Sequence, residues 1–180
     1  MQLDVQYLGQ VAECETTPIT LAILKGLLTP ILAETVNYVN ASVLAKERGI
    51  KVTESKSSTS AHYANLVQVD IRTDKKQSRV GGSMISREDT RIVMIDNYDV
   101  EAVPDGYLLL IANKDVPGIV GQLGTLLGAG GVNIAGMTLG RDMPGGQARA
   151  LFKIDNEIPE TVMREIRKIK NVLDAKLIKL

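Results

Sequence analysis

The residues of this chain best suited to chemistry lie in two short stretches. They are Asn113-Lys114-Asp115-Val116-Pro117-Gly118-Ile119-Val120 and Gly131-Val132-Asn133-Ile134-Ala135. The first joins an apolar run to an amphipathic segment, so it sits where a strand hands over to a helix. Unpaired N–H groups and the dipole at a helix start favour an anion such as a carboxylate. Asp115, just before that start, offsets an ammonium group. Asn113 and Asn133 each bring donors and an acceptor, and Gly118 lets a ligand or a second chain approach the backbone closely. An anion-friendly backbone beside a cation-friendly side chain is what a zwitterion requires. The same residues have plainer uses. Asp115 can assist helix capping, Asp-x-Pro-Gly is common turn chemistry, and Asn133 can be a turn residue after Gly130-Gly131. Chemistry alone leaves both readings open.

No catalytic set is visible elsewhere. The single histidine, His62, lies in a polar segment and reads as an exposed loop residue. One His and one Cys build neither a conventional metal site nor a Ser-His-Asp triad. Cys14 follows a predicted strand and is expected to be a small, buried or half-buried side chain. Gly118 to Gly124 is glycine-rich but lacks the G-x-G-x-x-G spacing of a dinucleotide loop. No catalytic residue, metal or cofactor is therefore assigned to the chain.

The elements that must position the two stretches are legible from periodicity. Tyr107 to Ala112 is a continuous apolar run, as expected of a central strand buried on both faces. Pro117 reads as a helix start, where its fixed φ and missing N–H cost nothing. Ile119, Val120, Leu123, Leu126 and Leu127 are expected on one helical face, and Gly130-Gly131 ends that helix. Strands follow at Val132 to Leu139 and, after the turn Asp142 to Gly146, through Ala148, Ala150, Phe152 and Ile154. Pro159 opens a second helix carrying Val162, Ile166 and Ile169, and a last strand runs from Leu173 to Leu180. The order β-α-β-β-α-β is the ferredoxin-like plan: an antiparallel sheet with two helices on one face.

Ahead of it, Val5 to Val11 reads as a strand, Pro18 to Pro30 and Ala41 to Arg48 as helices, and Lys51 to Ser60 as a strand fading into a loop. Further strands are expected around Leu66 to Ile71, Gln77 to Ile85, Arg91 to Ile95 and Val100 to Val103. The fold class is α+β in two small domains, residues 1–104 and 105–180, divided at the turn cluster Val103-Pro104-Asp105-Gly106.

Bulk properties narrow the partners. The 180 residues carry 21 basic and 21 acidic side chains, without the positive excess that a phosphate backbone demands, so nucleic acid is not expected. Leu21 to Ala33 is too short and too broken by Lys25, Thr29 and Pro30 to span a bilayer, so no membrane association is expected. The N-terminus lacks the layout of a signal peptide, and a lone cysteine suits a reducing cytosol. The expected location is the cytoplasm.

Two resemblances add to this reading. Asp115-Val116-Pro117-Gly118-Ile119-Val120, followed at the right distance by Gly131-Val132-Asn133-Ile134-Ala135, resembles the ACT domain family, and the likeness extends over Tyr107 to Leu180. ACT domains typically pair through their edges and helices and bind amino acids at the pair interface. The segment Glu34-Thr35-Val36-Asn37-Tyr38-Val39-Asn40-Ala41-Ser42-Val43-Leu44-Ala45-Lys46-Glu47-Arg48-Gly49-Ile50 resembles the intervening domain of the long form of D-3-phosphoglycerate dehydrogenase. Arg91 to Asp96 and the Val103-Pro104 junction are similar to that family too.

The resemblance implies a regulatory, non-catalytic module of an NAD-dependent dehydrogenase, with NAD held by the catalytic domain of the parent protein. It implies a homodimer through the ACT domains, binding L-serine or a related small amino acid. The matching positions are Asn113 and Asp115 on one chain and Asn133 on its partner, with Ile134 beside it and the backbone of Pro117, Gly118, Ile119 and Val120 lining the site. Asn113 stands where some members carry His or Tyr. Arg91 and Lys153 match basic positions of an anion site, while Tyr98 and Val103 replace two further arginines; ordinary solvated strand charge is the competing reading for both. The regulatory subunit of an iron–sulfur L-serine dehydratase and a ligand-free oligomerisation module are the alternatives.

Overall fold

The computed structural model describes residues 1–32, 35–60 and 62–180; Glu34, which opens the segment carrying the second resemblance, lies outside the described residues. The protein is α+β, with four α-helices and ten strands among the described residues. It divides into two compact units, Met1–Met84 and Ile85–Leu180.

In the first unit, β1 (Gln2–Gly9) alternates strictly between buried and half-buried positions. Leu3, Val5 and Tyr7 turn to the core, and Asp4 and Gln6 to the opposite face. Period-two alternation over eight residues is what a sheet with one covered face demands. The strand ends at Gly9 rather than running on to Val11, because Gly9 has a positive φ of 78° and Gln10–Glu13 form a 3-10 turn. Helices α1 (Thr17–Leu28) and α2 (Ala41–Glu47) follow, and β2 (Lys51–Ser57) returns parallel to β1. Within this unit β3 (Asn65–Arg72) and β4 (Gln77–Met84) continue the sheet, in the order β2-β1-β3-β4. Leu24, Leu28, Leu44 and Ala45 of the helices pack on Leu3, Val5 and Tyr7. The Tyr7 hydroxyl is paired with Thr20 Oγ1 at 2.6 Å, so each of these two buried hydroxyls has a partner.

The second unit holds the hairpin β5 (Thr90–Ile95) and β6 (Tyr98–Ala102), then β7 (Tyr107–Lys114), α3 (Ile119–Ala129), β8 (Ile134–Arg141), β9 (Gln147–Ile154), α4 (Glu160–Lys168) and β10 (Val172–Lys179). The last four strands are antiparallel in the order β10-β7-β9-β8. That is the ferredoxin-like plan read from the sequence. One face packs Leu109, Ile111, Ala150 and Phe152 against Leu123 and Leu127 of α3 and Met163 and Ile166 of α4. The other face packs Leu108 and Leu151 against Ile95, Val100 and Ala102 of the hairpin. The central run of β7 is apolar on both sides for that reason. The turn at 103–106 joins β6 to β7 inside this unit.

Three further expectations need correction. Pro117 is not the first residue of α3: the helix begins at Ile119 behind Gly118, whose φ is +91°. Pro117 therefore belongs to the turn that aims the helix. Val120 is not on the buried face of α3, being 41% exposed. It lies about 100° around the helix from Ile119, away from the Ile119–Leu123–Leu127 stripe that reaches the core with Leu126 packed at its edge. Cys14 is exposed, not buried, because it follows the 3-10 turn that lifts the chain off the sheet.

Candidate functional site

The two stretches that opened the sequence reading occupy opposite ends of the second unit's sheet. Asn113 lies near the end of β7, opposite Ala148 and Val172. It shares the helix-facing side with Leu109 and Ile111, and only 3% of it is exposed. Its Nδ2 donates to the Lys114 carbonyl at 2.8 Å, but its Oδ1 is buried with no hydrogen-bond partner. An unpaired acceptor inside a protein costs about 1–3 kcal/mol. Such an atom asks for an explanation in native structure.

Asp115 follows directly. Its backbone N–H donates to the Gly146 carbonyl at 2.9 Å. Its Oδ2 accepts from the Arg141 guanidinium at 3.0 Å and from the Gly145 N–H at 3.3 Å. The β7–α3 turn is thus stitched to the β8–β9 turn. The Arg141 hydrogen bond, aided by the Gly145 N–H, holds the Asp115 carboxyl below its ordinary value. Asp115 does not cap α3. That helix starts with no side-chain cap and no acidic residue in its first turn, so its leading N–H groups are left open to an anion. Gly118 supplies the left-handed backbone that lets the chain turn there. The Ile119 side chain belongs to the core; only its backbone faces this end. Val116 and Val120 expose apolar surface beside it.

Asn133 is elsewhere. It precedes β8, exposed, with its Nδ2 on Asp155 Oδ2 at 2.7 Å. Ile134, half-buried, pairs with Ile154, which itself pairs with Tyr107 at the far end of β7. The full length of β8, about 25 Å at strand rise, separates Asn133 from Arg141 and Asp115. Within one chain the predicted residues therefore do not converge: Asn113, Asp115, Pro117 and Gly118 gather at one end, Asn133 and Ile134 at the other.

The strand between them is an edge. β8 closes the sheet order, and its Met137 and Leu139 side chains are exposed although they sit opposite the core residues Phe152 and Ala150. Its other side is held by the hairpin, where Thr138 Oγ1 accepts from the Glu101 N–H and donates to the Glu101 carbonyl.

The remaining candidates, Arg91 and Lys153, are both engaged by carboxylates. Arg91 pairs with Asp89 through two hydrogen bonds and lies 3.8 Å from Glu101. Lys153 pairs with Asp105. The Arg91 contact lowers the Asp89 carboxyl. Sequence reasoning did not single out Arg141. Its link to Asp115 spans 26 residues and joins two turns, which no local pattern announces. Among the described residues, no helix is long and apolar enough to cross a membrane.

Comparison with known proteins gives a consistent result. The family model for the D-3-phosphoglycerate dehydrogenase intervening domain matches residues 1–96. The D-3-phosphoglycerate dehydrogenase of Methanocaldococcus jannaschii is 38% identical over 179 residues, covering 99% of this chain and 34% of that protein. Those of Synechocystis and Bacillus subtilis are each 36% identical, over 99% and 98% of this chain and 32% and 34% of their own lengths. The chain spans about a third of the length of the curated relatives it matches.

Proposed function

We propose that this chain, which belongs to the D-3-phosphoglycerate dehydrogenase intervening-domain family, is an amino-acid-sensing regulatory module. In this reading residues 105–180 act as an ACT domain, and two copies bind L-serine or a close relative between them. The observation that carries the proposal is the buried, unpaired Oδ1 of Asn113. A fold keeps such an atom at a cost in stability, and a ligand N–H or O–H removes that cost.

Two-fold symmetry supplies the missing half of the site. When two edge strands pair antiparallel about a two-fold axis, the start of one lies beside the end of the other. Pairing β8 with a second β8 brings Asn133 of one copy to the Arg141 end of its partner, next to Asp115 and Asn113. The exposed Met137 and Leu139 are then covered. A serine seated there finds its carboxylate at the open start of α3, its ammonium at Asp115, and Asn113 and the partner's Asn133 for its remaining groups. The ammonium meets Asp115 in competition with Arg141, which holds the carboxylate in the free chain.

In the parent protein, a dehydrogenase catalytic domain that uses NAD would respond to the pairing, and serine would act as feedback inhibitor. That requires serine to bind one arrangement of the chain more tightly than another. Calorimetric titration with L-serine is the test. Saturable heat and a raised melting temperature are expected, with weaker binding by Asp115→Ala. No heat and no melting shift at millimolar serine would leave a ligand-free oligomerisation module as the surviving reading.

A further inference from the structure

The first unit carries a second arrangement of charge that the amino-acid reading does not use. The face of its sheet turned away from α1 and α2 holds a cavity of about 270 Å³. β1 and β2 contribute Asp4, Gln6, Thr53 and Ser55 to it; β3 and β4 contribute Asp70, Arg72, Gln77 and Arg79. All are set there by strand alternation, since their neighbours Leu3, Val5 and Tyr7 turn the other way.

Strand register fixes how these groups meet. Asp4 lies directly opposite Asp70, and Asp70 directly opposite Arg79. Two carboxylates facing each other across adjacent strands repel unless something intervenes. Asp70 is well satisfied: only 6% exposed, it accepts from Arg79 Nε at 2.7 Å and from Gln68 Nε2 at 2.9 Å. Asp4 is not. Among the described residues its oxygens accept only from the Gln2 carboxamide, at 2.9 Å, and form no ion pair. Arg72, opposite Gln77, makes no ion pair with any described residue. Asp4 and Arg72 are diagonal neighbours on adjacent strands, about 7–8 Å apart by strand geometry. A carboxylate and a guanidinium thus face one concavity with no ion pair formed between them.

A solvated sheet face leaves its charges in open water. Here the floor is buried, with Gln68 and Asp70 beneath the rim. We propose that this cup is a second binding site, for a small polar ligand with an anionic group at one end and an ammonium or hydroxyl donor at the other. The anionic end lies on Arg72 beside the Gln77 carboxamide. The donor end lies on Asp4, with the Thr53 and Ser55 hydroxyls at its side. The volume equals that of about nine waters, which suits a ligand of a few carbons. The two arginines and two aspartates sum to no charge, so a bare anion meets Asp4 and is disfavoured. The site shares no residue with the β8 edge and does not depend on pairing.

The test is a titration of the isotope-labelled 180-residue chain, following backbone amide resonances. Three probes are compared: glycine, which has the ammonium; D-glycerate, which has the hydroxyls; and inorganic sulfate, which has neither. Glycine or D-glycerate is expected to shift the amides of Thr53, Ser55, Asp70 and Gln77 saturably, with sulfate about ten-fold weaker or worse. A response to glycine alone assigns an ammonium to Asp4, and a response to D-glycerate alone assigns a hydroxyl. Arg72→Gln and Asp4→Asn, both conservative at partly exposed positions, should each weaken the response about ten-fold. Asp115→Ala should leave it unchanged, so failure of the serine reading and failure of this one are told apart. No saturable shift at these amides with glycine or D-glycerate at tens of millimolar overturns the proposal. So does a response that Arg72→Gln leaves intact.

Discussion

Replacing Asn113 by leucine separates a binding role from a structural one. Leucine copies the branched shape of the carboxamide while removing both of its polar atoms. In the folded chain the change removes the unpaired Oδ1, worth about 1–3 kcal/mol of desolvation penalty. It also removes the Nδ2 hydrogen bond to the Lys114 carbonyl, worth about 0.5–1.5 kcal/mol. That carbonyl is not orphaned, because it also accepts from the Val116 N–H at 2.9 Å. The position is buried among core residues of a central strand, where leucine is at home. The balance is a stabilisation of about 1 kcal/mol, or about 2–4 °C in melting temperature for a chain of this size.

The same substitution deprives a bound amino acid of an acceptor and leaves its donor unpaired. Serine affinity should fall by about 1–3 kcal/mol, roughly 5- to 150-fold. Scanning calorimetry reads the first effect and isothermal titration the second, on the same preparation. The reasoning fails if Asn113→Leu lowers the melting temperature by more than about 4 °C, because the carboxamide is then a satisfied part of the core. It fails equally if the variant is more stable and binds serine as before.

Three further outcomes follow from the geometry. Gly118→Ala forces an L side chain to adopt φ +91° in otherwise open space, its Cβ meeting only Gln122 Nε2 at 3.7 Å. Strain of about 1–2 kcal/mol should lower the melting temperature by about 2–8 °C, and a crystal structure showing an undisturbed turn with no loss would contradict it. Asp115 has a lowered pKa, so its charge is fully present above the ordinary carboxylate value near pH ~3.9 and is lost only as pH falls through the lower folded value. Serine affinity should thus be flat between about pH 5 and 8, and a titration step of the Asp115 carboxylate inside that window would show the Arg141 contact to be wrong. Met137→Asp puts a charge in the middle of the exposed β8 edge; sedimentation should show loss of pairing and weaker serine binding together, whereas a variant that stays paired would place the interface elsewhere.

The ferredoxin-like half was readable because each of its elements announces itself. Period two in Ala148, Ala150, Phe152 and Ile154 and a helical stripe in Ile119, Leu123 and Leu127 are both consequences of one buried face. β7 was readable as a two-sided strand because the hairpin β5–β6 covers its other face with Ile95, Val100 and Ala102. The errors were local ones of phase. Val120 is apolar like its neighbours, and composition cannot say that it lies outside the buried stripe. Pro117 is as suitable for a turn before a helix as for the first turn within it, and only the positive φ of Gly118 decides between them.

The candidate site was less legible for a reason that lies in its construction. Asn113, Asp115 and Gly118 are close in sequence, so their shared place at a strand–helix turn could be inferred. Arg141, which holds Asp115, and Asp155, which holds Asn133, come from strand ends 26 and 22 residues away. Their roles depend on the β8–β9 register. More fundamentally, Asn133 sits at the wrong end of β8 to meet Asp115 of its own chain. A single sequence carries no sign of that until the strand order is known.

In the proposed pairing this separation has a consequence for regulation. A two-fold axis through β8 generates two equivalent composite sites, one at each end of the joined strands, and each draws residues from both copies. A ligand held by both copies binds the pair and not the separate chains, so it stabilises the paired state in proportion to its concentration. Arg141 sets the threshold. In the unpaired chain it already neutralises Asp115, so an isolated chain offers an ammonium little. The partner's Asn133 and the unpaired Asn113 Oδ1 must then supply the margin by which serine displaces it. Sensing in this scheme belongs to the interface, and either half of the site alone should be nearly silent.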